Sequence, residues 1–172
     1  MLPKLTLVLG GAASGKSRFA ENLAKREGKS VIYIATAQTL DDEMKQKAER
    51  HQSRRPKAWT TIEEPYHAAH TLRTLSESVV LFECATLWLS NHILKNDSDL
   101  VAERIFLLES LRHCPASVIM VSNEVGHGLV PEYSLGRTFR EEQGHLNIAL
   151  ADQANSVIAI TAGLPHVLKT PV

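Results

Sequence analysis

Five short apolar runs punctuate the chain, at residues 5–9, 31–35, 79–82, 117–121 and 156–160, each bounded by polar or turn-forming positions. Between them apolar side chains return every three or four residues, the spacing of helices packed on one face. That period predicts helices over residues 17–27, 41–51, 65–76, 99–112 and 137–155. Short apolar runs alternating with such helices point to an α/β fold built on a mostly parallel sheet. The last run leads into Ala162-Gly163-Leu164-Pro165 and a further extended stretch, so the chain is expected to end in an antiparallel hairpin. Residues 86–97 fit neither period, because Asn91, His92, Lys95 and Asn96 interrupt the apolar positions.

The first run is followed by Gly10, Gly11, Ala12, Ala13, Ser14, Gly15, Lys16 and Ser17, which complete the pattern G-x-x-x-x-G-K-[ST]. Glycines there let backbone N–H groups turn inward around phosphate oxygens, a lysine reaches the terminal phosphates, and the final hydroxyl joins the shell of a magnesium ion. A glycine-rich turn without a ligand is the plainer reading. Against it stands the order strand, loop, helix: Phe19, Ala20, Leu23 and Ala24 recur at helical spacing, so a helix N-terminus is aimed at the anion. A nucleoside triphosphate is the expected ligand.

Composition narrows the setting. A length of 172 residues with 44% hydrophobic and 22% charged content suits one globular catalytic domain spanning residues 1–172. Nineteen basic and nineteen acidic side chains cancel, which gives no general attraction to nucleic acid or an anionic membrane and favours a small-molecule substrate. With no membrane-length apolar stretch and no secretory layout at the N-terminus, a cytoplasmic location is expected. Cys84 and Cys114 border apolar runs without a C-x-x-C spacing and read as buried structural thiols.

In an open parallel sheet, ligands collect beyond the carboxyl ends of the strands. Glu83 follows the third run, where phosphate-loop enzymes commonly keep an acidic residue for magnesium or its waters; a helix-capping or surface carboxylate is the alternative. Ala35, Thr36 and Ala37 end the second run, and Ser122-Asn123-Glu124-Val125-Gly126 the fourth. Asp41-Asp42-Glu43 suits a helix start, and Pro56 stops the helix, leaving His51 near its end among Arg50, Arg54 and Arg55. Guanidinium neighbours favour the neutral, nucleophilic imidazole, yet a solvated basic helix end fits the same residues. His67 and His70 share a helix face without an evident third ligand, so an exposed face is the expectation. Arg137, Arg140 and Asn147 suit phosphate contacts, while Arg137 and Glu141 also suit an i,i+4 pair.

Taken together, these segments resemble the bifunctional adenosylcobinamide kinase / adenosylcobinamide-phosphate guanylyltransferase family of cobalamin biosynthesis. The resemblance spans nearly the whole chain. It rests on the phosphate loop, Tyr33-Ile34-Ala35-Thr36-Ala37, Asp41-Asp42-Glu43-Met44 with His51 and Arg55-Pro56, Trp59 with Glu63-Glu64-Pro65, and Glu83-Cys84 with Thr86-Leu87-Trp88-Leu89. It continues through Asn123-Glu124-Val125-Gly126, Val130-Pro131, Arg137-Thr138-Phe139-Arg140, Leu146-Asn147 and Lys169. The loop alone is common to many kinases; the acidic segment, the histidine and the Asn-Glu-Val-Gly segment in this order are far more selective.

The resemblance implies a three-layer RecA-like P-loop NTPase fold and two reactions. Adenosylcobinamide is phosphorylated on the hydroxyl of its aminopropanol arm with ATP or GTP, and GMP is then transferred from GTP onto adenosylcobinamide-phosphate, giving adenosylcobinamide-GDP and pyrophosphate. By the same matching, His51 is the residue that carries GMP, and Lys16 joins it in catalysis. Guanine nucleotide contacts are expected from Gly10 to Ser17, from Ala35, Thr36 and Ala37, from Gln52, Ser53, Arg54 and Arg55, and from Glu63 and Glu83. Ser17 and Glu83 are expected to hold Mg2+, and a homo-oligomer, usually a trimer, is implied. Three positions depart from the family pattern: Ala13 where Arg is frequent, Glu83 where Asp is frequent, and Ile148 where Gln is frequent. These bear on substrate preference and rate more than on reaction class. A single-activity kinase of another small alcohol, with His51 a surface residue, is the competing reading; a nucleotide-hydrolysing regulatory module is a third.

Overall fold

The computed structural model describes residues 2–27, 30–38, 55–75, 78–95 and 98–170. The predicted helix 41–51, and with it His51, Gln52, Ser53 and Arg54, lies outside them. In chain order the elements are β1 (Leu5–Gly10), α1 (Lys16–Arg26), β2 (Val31–Ala35), β3 (Thr60–Glu63), α2 (Ala68–Thr74), β4 (Val79–Glu83) and α3 (Ala85–Leu94). There follow α4 (Leu100–His113), β5 (Ser117–Asn123), α5 (Ser134–Gln153), β6 (Ser156–Thr161) and β7 (Leu164–Lys169). The strands form one seven-stranded sheet in the order β3-β2-β4-β5-β1-β6-β7. Every neighbouring pair is parallel except β6 and β7, which make the predicted closing hairpin.

Pleating separates the sheet into two apolar faces. Leu5 and Leu7 of β1, Val80 and Phe82 of β4, and Val118 and Met120 of β5 pack with Leu72, Trp88, Leu107, Leu111, Leu146 and Leu150 of helices α2 to α5. On the other face Val8, Tyr33, Leu81, Ile119 and Val121 pack against Ala20 and Ala24 of α1. Helices on both faces give the three layers expected, and they explain why the central strands read as unbroken apolar runs. Each fully buried Leu or Phe in these clusters contributes about 1.5–3 kcal/mol, so the pleat and register are strongly specified.

Two elements went unrecognised in the sequence. Strand β3 is an edge strand with Thr60, Thr61 and Glu63 exposed and only Ile62 half-buried, so it has no apolar run to betray it. It nevertheless pairs with β2 residue for residue, setting Glu63 beside Ala35. Helix α3 covers residues 86–94 of the ambiguous stretch. Buried residues surround it, so its apolar period is blurred, and its polar interruptions are internal ties. Asn91 Nδ2 donates to the carbonyls of Thr36 at 2.8 Å and Pro65 at 2.9 Å, and His92 Nε2 lies 3.1 Å from the Tyr66 carbonyl.

Helix boundaries follow their caps. The Asp99 carboxylate accepts from Val101 N and Ala102 N, both at 3.1 Å, starting α4 where the sequence places it; such a cap is worth about 1 kcal/mol. Helix α2 begins three residues after the predicted start, because Glu64 turns the chain back by accepting from Tyr66 N and His67 N. Among the described residues, no helix is long and apolar enough to cross a membrane.

Candidate functional site

The loop after β1 is shaped by close approaches that exclude side chains. A Cβ on Gly10 would stand 2.4 Å from Ser14 Oγ and 2.8 Å from the Ile160 carbonyl. Gly15 adopts φ +94° as it enters α1, a conformation that costs most residues dearly. Behind the loop sits the two-residue turn of the β6–β7 hairpin, where Ala162 and Gly163 both have positive φ. Gly163 N donates to the Ser14 carbonyl at 2.8 Å, so the hairpin braces the loop from the rear. The hairpin was legible in the sequence, but this bracing role was not.

Helix α1 has no acidic residue in its first turn, and Lys25 and Arg26 occupy its last. Its partly positive N-terminus is therefore left to an external anion. Lys16 Nζ donates to the Gly11 carbonyl at 3.3 Å, lying back along the loop it serves. Ser17 Oγ donates to Glu83 Oε1 at 2.7 Å. That bond spans β5, which lies between β1 and β4 in the sheet. The two connections also diverge, α1 to one face and α3 to the other, which opens the crevice in which ligands of such sheets lie.

Glu83 Oε2 is buried and has no hydrogen-bond partner. Burial pushes this carboxyl up to about 7, with Glu21 adding to the effect; the Ser17 bond, Lys16 and Arg55 pull the other way. A hydroxyl and a carboxylate with one oxygen unmatched form an oxygen-only donor set suited to a hard divalent cation. The pair therefore fits magnesium.

Arg55 reaches the same rim. Its Cζ lies 3.5 Å from the centroid of the Tyr33 ring and its Nη1 donates to Thr61 Oγ1 at 3.0 Å, while its Nε is buried without a partner. The Tyr33 hydroxyl is held above its ordinary pKa by burial and by Glu83, so it stays neutral beside that guanidinium. Glu63 is exposed at the carboxyl end of β3.

Thr36 behaves differently from its neighbours. It is fully buried, its Oγ1 donates to the Cys84 carbonyl and accepts from Cys84 N, each at 2.8 Å, and its N donates to the Glu83 carbonyl at 3.0 Å. The side chain clips the end of β2 to the end of β4. Within this segment Ala35 and Ala37 are only half-buried and face the rim more openly.

Beside the rim lies a buried polar cluster of which the sequence reading named every member except Gln143. Ser122 Oγ donates to Asn147 Oδ1 at 2.7 Å, and Gln143 Nε2 is 3.0 Å from both of those oxygens. Thr86 Oγ1 accepts from Asn123 N at 2.8 Å, and Asn147 Nδ2 donates to the Asn123 carbonyl at 3.0 Å. The only signal for Gln143 is its place four residues before Asn147 on the inner face of α5. Arg137 donates to the carbonyls of Pro131 and Glu132, and Arg140 to that of Gly126, so both shape the loop after β5. The His70 ring packs on Phe106, and Cys84 and Cys114 are buried thiols whose pKa values burial raises, Cys84 to about 11.

This geometry joins a sequence match of wide extent. The cobinamide kinase / cobinamide phosphate guanyltransferase family matches over residues 6–168. The chain belongs to that family. It is 48% identical over 166 residues to the bifunctional adenosylcobalamin biosynthesis protein CobP of Pseudomonas aeruginosa, covering 95% of this chain and 96% of the relative. It is 39% identical to the corresponding protein CobU of Escherichia coli K12, covering 96% and 99%. Among solved structures, the RadB recombinase superposes with a TM-score of 0.52 at 19% identity, over 92% of this chain and 74% of that one, a likeness of fold alone. A phosphate-loop fold suits members named for a kinase and a guanyltransferase activity, and its rim here holds an oxygen donor pair and the cationic side chains of Lys16 and Arg55.

Proposed function

We propose that this protein phosphorylates adenosylcobinamide and then guanylylates the phosphate it has made, with His51 as the GMP carrier. The observation that supports this best is the Ser17–Glu83 hydrogen bond at the mouth of a phosphate loop, in a chain of this family. In the first reaction the substrate hydroxyl oxygen bonds to the γ-phosphorus, the bridging P–O bond to the β-phosphate breaks, and the hydroxyl proton leaves to water. Lys16 and the loop amides hold the phosphates in line, where positioning and charge stabilisation supply nearly all of the catalysis. Ser17 and Glu83 hold magnesium, which when bound neutralises charge on the phosphates.

In the second reaction a neutral ring nitrogen of His51 attacks the α-phosphorus of GTP and pyrophosphate departs. A phosphate oxygen of adenosylcobinamide-phosphate then takes the GMP group, breaking the P–N bond and restoring the imidazole. Arg55 supplies positive charge near the departing group, and Glu63 is suited to accept from N1–H and N2–H of guanine, selecting GTP over ATP. We also infer assembly into a homo-oligomer, a trimer by family resemblance, with Leu164, Val167 and Leu168 of edge strand β7 more than half exposed.

The decisive experiment supplies GTP labelled at the α-phosphorus. Acid-labile label is expected on the wild-type protein and not on His51→Asn. Full labelling of the variant, or none of the wild type while product accumulates, overturns the proposal.

A further inference from the structure

Arg55 is mounted on neutral groups. Tyr33 of β2 and Thr61 of β3 are register partners in parallel strands, so both side chains leave the sheet on one face. That face is the α1 side, because Tyr33 packs with Ala20 and Ala24. The Arg55 guanidinium lies on this cross-strand pair, with Cζ 3.5 Å from the centroid of the Tyr33 ring and Nη1 donating to Thr61 Oγ1 at 3.0 Å. Tyr33 is buried in the core and cannot swing aside, whereas Thr61 is exposed at the sheet edge. The ring fixes the plane of the guanidinium, and the hydroxyl fixes its rotation within that plane.

Two features separate this mount from a plain structural anchor. Among the described residues no carboxylate forms an ion pair with Arg55, although Glu83 is near enough for the guanidinium to lower its pKa. A π face and a hydroxyl leave the positive charge whole, where a carboxylate in contact would have cancelled it. The Nε is also buried without a partner, a loss that is larger for a charged group than for a neutral one. Holding the start of β3 does not require that loss, because Trp59 already serves there: its N–H donates to the Pro56 carbonyl at 3.0 Å, and it packs on the α1-face cluster. A cation kept whole, oriented and partly unmatched is arranged for an anion that arrives with a ligand.

Position selects the reaction. The mount spans β3 and β2, with β4 and β5 between it and the phosphate-loop strand β1. His51 precedes Arg55 by four residues of sequence, which reach at most about 14 Å. The chain therefore ties this cation to the nucleophile of guanylyl transfer rather than to the loop that holds the kinase phosphates. We propose that Tyr33 and Thr61 are positioning residues for guanylyl transfer, aiming the Arg55 guanidinium at the triphosphate as His51 attacks. The ring nitrogen bonds to the α-phosphorus, the P–O bond to the β-phosphate breaks, and the electron pair leaves with pyrophosphate, where Arg55 meets the gathering charge. The assignment rests on the histidine-carrier reading above, but one arm of its test does not.

The test follows the rate at which α-labelled GTP labels the protein, in single variants and in a double-mutant cycle. Arg55→Ala is expected to slow labelling about 100-fold and Tyr33→Leu about ten-fold. Tyr33→Phe, which keeps the ring face, should slow it by less than about two-fold. Thr61→Val should slow it about five-fold, and because Thr61 is exposed this variant keeps the test open should Tyr33→Leu fail to fold. Kinase turnover falls less than labelling in each Tyr33 and Thr61 variant. A merely structural role would not move the cycle, in which Tyr33→Leu costs nothing further once Arg55 is replaced by alanine. Full additivity, equal losses in both reactions, or normal labelling of Thr61→Val overturns the assignment. If the wild type takes up no label, the histidine-carrier reading falls, and affinity for inorganic pyrophosphate decides: a loss of about five-fold in Thr61→Val keeps the mount as a device for aiming a cation at phosphates, and an unchanged value ends it.

Discussion

Two groups of polar side chains sit at the carboxyl end of this sheet, and they do opposite things. In the cluster of Thr86, Ser122, Gln143 and Asn147, all four neutral side chains bond within the protein, and Gln143 Oε1 alone among their atoms is buried without a partner. At the rim of Lys16, Ser17, Arg55 and Glu83, capacity is left over: Glu83 Oε2 and Arg55 Nε are buried without partners. Hydroxyls do not separate the groups, since both contain one held close to an oxygen. Unmatched capacity on charged side chains does, because leaving a buried polar atom without a partner costs about 1–3 kcal/mol and more for a charged group, a cost tolerated where a ligand removes it.

The sharpest way to break this contrast is at Lys16. Lys16→Ala removes the cation that meets the terminal phosphates and is expected to lower both phosphoryl transfer and protein guanylylation by about 10²–10³-fold. The nucleotide-free melting temperature should move little, because the lysine is only half-buried and its bond to the Gly11 carbonyl is long, 3.3 Å. A large melting shift with intact turnover would place Lys16 with the internal cluster.

Glu83→Gln comes next. It preserves shape while removing charge, and loss of a group that holds a metal or its waters is expected to weaken magnesium binding or turnover by about 10–100-fold. Titrating activity against magnesium reads the effect as a higher half-saturating concentration. Unlike the rim's catalytic role, its stability role should be nil or slightly adverse, since burial raises this carboxyl's pKa to about 7. A variant that melts earlier yet saturates with magnesium as the wild type does would make Glu83 a structural residue.

Thr36 tests the other side of the comparison. The sequence groups it with Ala35 and Ala37 as a nucleotide contact, but its hydroxyl holds both backbone groups of Cys84. Thr36→Val is expected to cost about 1–3 kcal/mol of stability, read by denaturant unfolding, with KM for nucleotide little changed. A raised KM at unchanged stability would return Thr36 to the rim.

What was legible follows the same physics. The phosphate loop, the central strands and the closing hairpin announce themselves because local chemistry dictates them: glycines where side chains cannot fit, apolar runs where both faces are covered. Glu83 was legible as a rim carboxylate because it ends such a run. Strand β3 was not, since an exposed edge needs no apolar pattern. Helix α3 was obscured by Asn91 and His92, whose carbonyl partners lie 26 or more residues away in the chain. Gln143 was missed because its bond to Ser122 reaches across 21 residues of chain, and its place four residues before Asn147 is too common a helix spacing to mark it.

His92 gives the smallest effect and the finest test of an internally matched group. Its Nε2–H points to the Tyr66 carbonyl and its Nδ1 lies 3.0 Å from Ser98 Oγ, with Trp88 against the ring. Burial lowers its pKa below the ordinary 6.5; Lys95 and His67 act in the same direction, while the Tyr66 bond and Glu103 oppose it. As pH falls through 6.5 the unfolded chain takes up this proton and the folded chain does not, so stability that is present above that value is progressively lost below it. His92→Gln keeps a donor for the Tyr66 carbonyl but cannot titrate. Melting temperatures measured from pH 7.5 down to about pH 5 should therefore converge, the wild type losing more than the variant. Parallel curves would mean that His92 is as free to take up a proton in the folded state as in the unfolded one, and that its place among the inward-facing groups rests on packing alone.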